Sequence, residues 1–284
     1  MNPPSGADTL AEADGRTALT MVRAFPHPPR AVWRALTEPA ELSQWFPFRV
    51  DLDPRPGGTL TFGTPAGDVQ SATGTVTELD APRRFAFDRG AEHLAWTVAP
   101  DGDGAELTLV HTFDDRAAAP GFAAGWDLCL AALRDLLDGG PVERRRDGGA
   151  LHDAYLRHFG LDRGTATTGG GTRAVRFERQ LTAPAARVWE VLAAGIEPVP
   201  GLPVPAGFTD SDVPAGHARE VRPPHLLSYE WADGGTVTWE LREDTGHGAR
   251  LVLTQTGQKT FDTDRALAAW HTRIEDLAAR LRTP

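Results

Sequence analysis

A histidine near the end of a predicted strand is the side chain with the clearest capacity for acid–base chemistry. In the segment Ala105–Phe113, Leu109 and His111 share one face of the strand. A histidine there could transfer protons near neutral pH or orient a ligand carbonyl, and it could equally be a buried structural residue. The matching strand of the second half carries Leu253 and Gln255 in these places. Glutamine exchanges no protons, so the only catalytic candidate, a weak one, is His111.

Aromatic side chains dominate the inward faces of the predicted strands and helices. Such a surface, with one polar group at the end of the sheet, suits an apolar ligand held by a single orienting hydrogen bond. The same side chains are what an ordinary core contains, and the cluster at Trp45 and Phe46 could cover a pocket, meet a partner or simply close the sheet. The predicted pocket residues are Trp45, Phe46, Phe62, Phe87, Trp96, Leu109, His111 and Trp126 in the first half, and Tyr229, Trp239, Leu253, Gln255 and Trp270 in the second.

Other catalytic and cofactor patterns are missing from the sequence. The nine histidines have no metal-binding spacing, and neither a phosphate-binding loop nor a dinucleotide fingerprint occurs. The single Cys129 lies on the apolar stripe of a predicted helix and is interpreted as a packed thiol. We therefore predict no metal and no cofactor.

The chain repeats itself at long range. Pro28–Leu36 (PPRAVWRAL) resembles Pro184–Leu192 (PAARVWEVL), which places Trp33 and Trp189 156 positions apart. A second echo relates Trp126 to Trp270 at a spacing of 144. A period this long predicts two tandem domains of one fold, because solenoid repeats span only about 20–50 residues.

The order of elements in each half predicts an α+β fold. A strand leads into short helices, several short strands follow with Gly, Asp and Pro turns between them, and a long helix closes the half. We predict a flexible tail over 1–16 and a first domain over 17–160, which ends in a helical extension. A Gly/Thr-rich linker is predicted over 161–173 and a second, divergent domain over 174–284.

Charge and hydropathy limit the classes of partner. The chain has 284 residues and a net charge of −10, which disfavours nucleic acid. Its one basic run, Arg144–Arg146, is flanked by Glu143 and Asp147. No segment is apolar for the roughly 18 residues of a membrane span, and the first residues lack the apolar stretch of a signal peptide. The expected location is the cytoplasm.

Three motifs carry a family resemblance. Pro29–Phe46 (PRAVWRALTEPAELSQWF), Gly74–Phe85 (GTVTELDAPRRF) and Gly125–Leu130 (GWDLCL) resemble the activator of heat shock protein 90 ATPase homologue group. That group is part of the START-like, birch-pollen-allergen-like superfamily, also called SRPBCC. The resemblance implies a helix-grip fold, in which a curved antiparallel sheet and a long C-terminal helix enclose a cavity. The second half departs from the pattern at Gly195–Gly207 (GIEPVPGLPVPAG), which replaces the second short helix.

Three functions follow as hypotheses. The first is non-catalytic binding of an apolar or aromatic small molecule in the helix-grip cavity. The second is an enzyme of the polyketide cyclase or dehydratase kind, with His111 as the pocket acid or base. The third is a module that regulates a chaperone ATPase, as the family resemblance implies, although no partner surface is evident in the sequence.

Overall fold

The chain forms two sheet-and-helix units. The computed structural model describes residues 4–63, 70–143, 148–210, 215–231, 234–243 and 248–282, without the side chains of residues 70, 71 and 215. The backbone divides into the compact units Met1–Tyr155 and Leu156–Pro284. The predicted α+β class and the tandem repeat are both confirmed.

The first unit contains an eight-stranded antiparallel sheet and a long helix. Its sheet order is β1-β2-β8-β7-β6-β5-β4-β3, so the second strand pairs with the last one and the others form a meander. The elements are β1 (Thr9–Ala13), β2 (Arg16–Phe25), α1 (Pro29–Thr37), α2 (Pro39–Trp45), β3 (Arg49–Leu52), β4 (Thr59–Gly63), β5 (Gln70–Asp80), β6 (Arg84–Arg89), β7 (Glu92–Asp101), β8 (Gly104–Phe113), a 3-10 turn (Arg116–Ala118), α3 (Ala119–Leu137) and α4 (Gly149–His158).

Apolar spacing explains how α3 meets the sheet. Trp126, Leu130 and Leu133 are buried and lie at i, i+4 and i+7, on one side of the helix. Proline opens both short helices, with Pro29 and Pro39 in their first turns, where the missing N–H leaves no helical hydrogen bond unmade. Tyr155 of α4 bonds Asp8 of the same unit, in agreement with the predicted docking of this extension on the first domain.

The second unit repeats the plan with fewer strands. Its antiparallel sheet has the order β11-β12-β13-β14-β10-β9. The long helix again buries apolar residues at helical spacing, namely Trp270, Ile274 and Leu277. The elements are β9 (Thr165–Gly169), β10 (Thr172–Gln180), α5 (Ala185–Ala193), a 3-10 turn (Ala206–Phe208), β11 (Ala215–Arg222), β12 (Leu226–Trp231), β13 (Gly235–Arg242), β14 (Arg250–Gln258) and α6 (Thr263–Arg282).

The N-terminal segment differs from the predicted flexible tail. Thr9–Ala13 forms the edge strand β1, paired with β2 from Thr9 opposite Thr20 to Ala13 opposite Arg16. The preceding residue, Asp8, is buried. This strand is hard to recognise from residue types because four of its five residues are exposed and show no alternation.

The predicted linker also differs from the structure. Residues 165–169 form strand β9, which pairs with β10 through a turn at Gly170 and Gly171. Both glycines have positive φ, 58° and 85°, as the mirror-image turns of hairpins require. The division between the compact units falls within α4, ahead of the predicted 161–173 boundary. A run of glycines suits a hairpin turn as well as a linker, and only strand pairing distinguishes the two.

Three further expectations concern the surface. The basic run Arg144–Arg146 lies outside the described residues. Within the described part of the chain, no helix is long and apolar enough to cross a membrane. The large apolar side chains of Ile196, Val199 and Leu202 are exposed, and all three belong to the Pro-rich segment that replaces the second short helix.

Candidate functional site

The predicted pocket residues of the first domain do come together. All eight are buried. Trp45 of α2 lies edge-on to Trp96 of β7, with 5.8 Å between ring centroids, and Trp96 lies edge-on to Trp126 of α3 at 5.4 Å. Phe46 stacks on Phe62 at 6.0 Å. These rings form one continuous aromatic layer between the short helices, the sheet and α3.

Their interior holds almost no free space. A cavity of about 10 Å³ remains between α2 and the sheet. This is at or below the roughly 10–15 Å³ that one water needs, so the cavity is small as well as apolar. Among the described residues of this layer, the open cavity implied by the family resemblance is therefore not present in this conformation. The lining is wholly apolar and consists of Leu36, Leu42, Trp45, Phe46, Val50, Leu60, Phe62, Phe85, Phe87 and Trp96.

The short helix α2 closes this α2 cavity. The indole Nε1 of Trp45 donates a hydrogen bond of 2.9 Å to the carbonyl of Ala35 in α1. Two residues before Trp45, the hydroxyl of Ser43 accepts a 2.9 Å bond from the backbone N–H of Val50 in β3 and donates a 3.3 Å bond to the carbonyl of Val50. Phe46 contacts Trp126 at 5.6 Å between centroids. The cover, α2 with Phe46, is therefore held by side-chain hydrogen bonds to α1 and β3, by the ion pair between Glu41 and Arg34, and by ring packing.

His111 does not line the α2 cavity. Its Nδ1 accepts a hydrogen bond of 3.1 Å from Nε1 of Trp126, which puts the proton of the neutral ring on Nε2. Nε2 lies 3.4 Å from Oε2 of Glu92, with geometry too poor for a satisfactory hydrogen bond. Burial lowers the pKa of His111, and the neighbouring Glu92 opposes that shift only in part. The histidine is thus a neutral acceptor for a buried indole.

Glu92 is the polar neighbour on the other side of this histidine. Burial alone would raise its pKa, but His111 and Arg89 hold the pKa of Glu92 below its usual value. Arg89 pairs with Glu92 at 3.0 Å, and its guanidinium lies 5.5 Å from the ring centre of Phe48 and 5.6 Å from that of Phe62. This chain of polar groups therefore runs from the aromatic layer outward to the surface.

The second domain repeats the indole contact with a different acceptor. Oε1 of Gln255 accepts a 2.6 Å bond from Nε1 of Trp270. The acceptor and the tryptophan are 15 residues apart in both domains. Glutamine in the second domain accepts the same indole hydrogen bond as histidine in the first. The position therefore requires a hydrogen-bond acceptor and does not require a proton donor or a base.

A different residue closes the second domain. Phe208, in the 3-10 turn that replaces α2, is fully buried and packs edge-on against Trp189 and Trp239. Its carbonyl accepts hydrogen bonds of 3.0 Å from Tyr229 and from Trp239. Sequence reasoning missed Phe208 because the Pro-rich segment has no helical or alternating pattern. Two of the predicted pocket residues here, Tyr229 and Trp239, thus hold the closure in place.

An arginine in the strand before the first helix of each domain was also missed: Arg23 is half-buried and Arg179 is buried. Arg23 of β2 bonds Asp127 of α3 at 2.6 Å and Asp8 at 2.6 Å. Arg179 of β10 bonds Glu275 of α6 at 2.7 Å. The two arginines stand 156 positions apart, the spacing of the repeat, and this was the available signal. In both domains an ion pair therefore joins the strand before the first helix, β2 or β10, to the long helix.

Side chains that could ligate a metal are dispersed. Among the described residues, no group of three His, Cys, Asp or Glu side chains is arranged to hold a metal ion. Cys129 is half-buried on α3, in keeping with the predicted packed thiol. Near the aromatic layer, His111 and Glu92 are instead engaged by Trp126 and Arg89.

Comparison with known proteins gives the family. The family described as "Activator of Hsp90 ATPase homolog 1-like protein" matches residues 26–138 and 189–282, which is more than half of the chain. The chain belongs to this family. No curated protein matches the sequence. The match falls in two segments, one in each half of the repeat, as the predicted tandem arrangement requires.

Solved structures similar to this family member cover about half of it. A conserved protein of unknown function from Enterococcus faecalis, EF2215, is 19% identical, with a TM-score of 0.46, and covers 54% of this chain and 90% of its own. CalU16 from Micromonospora echinospora is 22% identical, with a TM-score of 0.44, and covers 53% and 97%. MLL2253 from Mesorhizobium loti is 23% identical, with a TM-score of 0.39, and covers 43% and 97%.

The role of His111 can be tested by substitution. His111→Leu leaves the buried indole N–H of Trp126 without an acceptor, which should lower the free energy of unfolding by about 1–3 kcal/mol. His111→Gln should lower the free energy of unfolding by less, because a glutamine already accepts the indole hydrogen bond of Trp270 in the second domain. Urea denaturation of both variants measures the difference. Equal losses for the two variants would contradict the acceptor role.

The same residue sets a pH dependence. The pKa of His111 is lowered in the folded state. The contribution of His111 to the free energy of unfolding is therefore fully present above its unfolded pKa of about 6.5. That contribution is lost as the pH falls from about 6.5 through the folded-state pKa. The free energy of unfolding of the parent protein should therefore decrease as the pH is lowered through about 6.5 toward the lower pKa of the folded state. In His111→Gln this part of the slope should disappear.

Proposed function

We propose that the first domain binds an apolar or aromatic small molecule, without catalysis, at the α2 cavity. The observation that carries this is the α2 cavity itself, a void with a wholly apolar lining under a short helix. A ligand would displace the side chains of Trp45 and Phe46 and occupy the space that they fill. The hydrogen bond from Trp45 to Ala35 is then one of the polar contacts to be broken, together with those between Ser43 and Val50.

Closure of this site sets the apparent affinity. When only a fraction of molecules is open, the apparent dissociation constant is the intrinsic one divided by that fraction. The cover is short, seven residues, and is bounded by Glu38 and Phe46, both in extended conformation. These flanking residues support α2 as a unit that can move once the bonds between Ser43 and Val50 of the edge strand β3 are broken.

In this proposal the second domain stays closed, binds no ligand and has a structural role. Its cover is held by two hydrogen bonds to the carbonyl of Phe208, and the described segment 195–208 contains no α-helix that could swing away. The first domain has a short helix as its cover and the second has none among its described residues, and this difference is the reason for assigning ligand binding to the first domain.

His111 has a positioning role in this proposal. It holds Trp126, which in turn contacts Phe46 and Trp96 of the aromatic layer. The cyclase or dehydratase hypothesis needs this histidine against a substrate, and its Nδ1 is already occupied by an indole. Chaperone binding stays a prediction from the family description, with no contact among the described residues that favours it.

A conservative change in the cover tests the proposal. Trp45→Phe removes the bond to Ala35 and enlarges the space, so a neutral aromatic probe such as 1-aminoanthracene should bind roughly 3- to 10-fold more tightly than to the parent, since one hydrogen bond is worth about 0.5–1.5 kcal/mol. Probe fluorescence measures the affinity. The parent should also bind members of a panel of neutral aromatic and lipid-like compounds.

A matched variant in the second domain provides the control. Trp189 is buried like Trp45, but its Nε1 has no hydrogen-bond partner among the described residues. Trp189→Phe should leave probe binding unchanged. Failure of the parent to bind any compound of the panel, or equal responses of the two variants, would refute a site beneath α2.

A further inference from the structure

A second concave site lies in the first domain, away from the aromatic layer. It is an open groove of about 250 Å³ between β2, α3 and the N-terminal segment. Its apolar floor is made by Phe25, Leu130 and Ala131, and none of its lining residues belongs to the α2 cavity. A groove of this volume can hold a small organic molecule and is too large for only a few waters.

A positive group is fixed at one part of the groove. Arg134 of α3 donates from Nη2 to the carbonyl of Ala24 at 2.6 Å, and its guanidinium lies 4.9 Å from the ring centre of Phe25. These two contacts hold the plane of the guanidinium. They use one of its five N–H donors, so a carboxylate could still be bound through others.

A negative group stands two turns of helix away. Asp127 is seven residues before Arg134, which is roughly 10 Å along the axis of α3. Its Oδ1 accepts from Arg23 at 2.6 Å and from Tyr155 at 3.4 Å. Its Oδ2 has no partner among the residues that the structure describes. Leu130 and Ala131 lie between the two charges and give the path an apolar surface.

The charges of this groove balance. Three charged residues line the groove, Arg23, Arg134 and Asp127. The charge of Arg23 is offset by its ion pair with the buried Asp8 behind the groove, which leaves Arg134 and Asp127 as one positive and one negative group. A simple anion would be attracted by Arg134 but repelled by Asp127, and a simple cation would be repelled by the two arginines. A molecule with an ammonium and a carboxylate at the ends of an apolar chain is complementary to both groups.

We propose that this groove binds a small zwitterion, such as an ω-amino acid or a short peptide. The carboxylate contacts Arg134, the ammonium contacts Asp127, and the apolar middle lies on Leu130 and Ala131. The site is independent of the α2 cavity, so either proposal can fail without the other.

Titration of the isotope-labelled full chain with ε-aminocaproate tests this proposal by NMR. Saturable shifts are expected at the amides of Leu130 and Ala131. Caproate, which lacks the ammonium, and hexylamine, which lacks the carboxylate, should each bind about 10-fold more weakly, the effect of one charge-assisted hydrogen bond. Equal binding of caproate, or no saturable shift at millimolar concentration, would overturn the proposal.

Two variants locate the contact. Arg134→Gln removes the charge and should weaken the binding of ε-aminocaproate and of caproate about 10-fold, while hexylamine, which has no carboxylate, should lose no affinity. Arg30→Gln, an exposed change on α1, is the matched control and should bind as the parent does. The spectra report whether each variant is folded, and unchanged binding in folded Arg134→Gln would contradict the assignment.

Discussion

Gly207→Ala is expected to destabilise the second domain by at least about 3 kcal/mol. A Cβ at this position would lie 1.7 Å from the carbonyl oxygen of Leu192 and 2.5 Å from its carbonyl carbon, both part of the backbone at the end of α5. The turn cannot retreat freely, because Arg273 of α6 bonds the carbonyl of Gly207 at 2.6 Å. Relief of the clash must withdraw Phe208, and loss of a buried phenylalanine costs about 3–5 kcal/mol.

Hydrogen exchange resolved by peptide can measure this effect separately in each domain. Protection should fall across β12 and β13, whose Tyr229 and Trp239 bond the carbonyl of Phe208, and the sheet of the first domain should be unaffected. Gly125→Ala is the matched control. That glycine is exposed in α3, and a Cβ there would meet no atom within 4 Å, so alanine should stabilise the helix by about 0.5–1 kcal/mol. Equal behaviour of the two variants would show that the close approach at Gly207 is not required.

Arg23→Met is expected to destabilise the first domain by about 3–5 kcal/mol, the usual cost of removing one partner of a buried ion pair. The side chain of Asp8 is 0% exposed and is held by Arg23 at 2.6 Å. Without the guanidinium its carboxylate stays buried, with a hydrogen bond from Tyr155 at 2.8 Å among its remaining contacts. Urea denaturation measures the loss.

Two comparisons separate this effect from a general loss of charge. Arg34→Met removes an arginine that is 62% exposed and paired with Glu41, and should change stability by less than about 1 kcal/mol. Adding Asp8→Asn to Arg23→Met removes the buried negative charge and should restore part of the loss. If the second change makes the protein still less stable, burial of an uncompensated charge is not the cause.

The duplicated fold is predictable from the sequence because its signals are local. The helix motif around Trp33, its repeat around Trp189 and the apolar spacing of α3 and α6 depend on neighbours a few residues apart. The strand at Thr9–Ala13 was missed because its pairing with β2 contributes backbone hydrogen bonds and little apolar burial. Such a strand leaves almost no trace in a hydropathy pattern.

The sequence predicts which residues face the interior of the candidate site, but not how little free space remains between them. Strand alternation showed that Phe62, Phe87 and Trp96 face inward, but not whether α2 would press Trp45 and Phe46 into the space between them. The role of His111 depends on Trp126, a residue on a different element, and the closure by Phe208 depends on carbonyl geometry. Distances of this kind arise only once the sheet and helices have packed.

The crossed rings of Trp45, Trp96 and Trp126 also make the circular dichroism of the protein sensitive to the position of Trp45. Successive centroids are 5.8 Å and 5.4 Å apart, and the interplanar angles are 86° and 83°. Indoles this close couple their electronic transitions, and the pair Trp239 and Trp270 of the second domain, 5.7 Å apart at 82°, contributes a constant background. Withdrawal of Trp45 would leave a single coupled pair in this trio, so movement of α2 can be followed on the unlabelled protein.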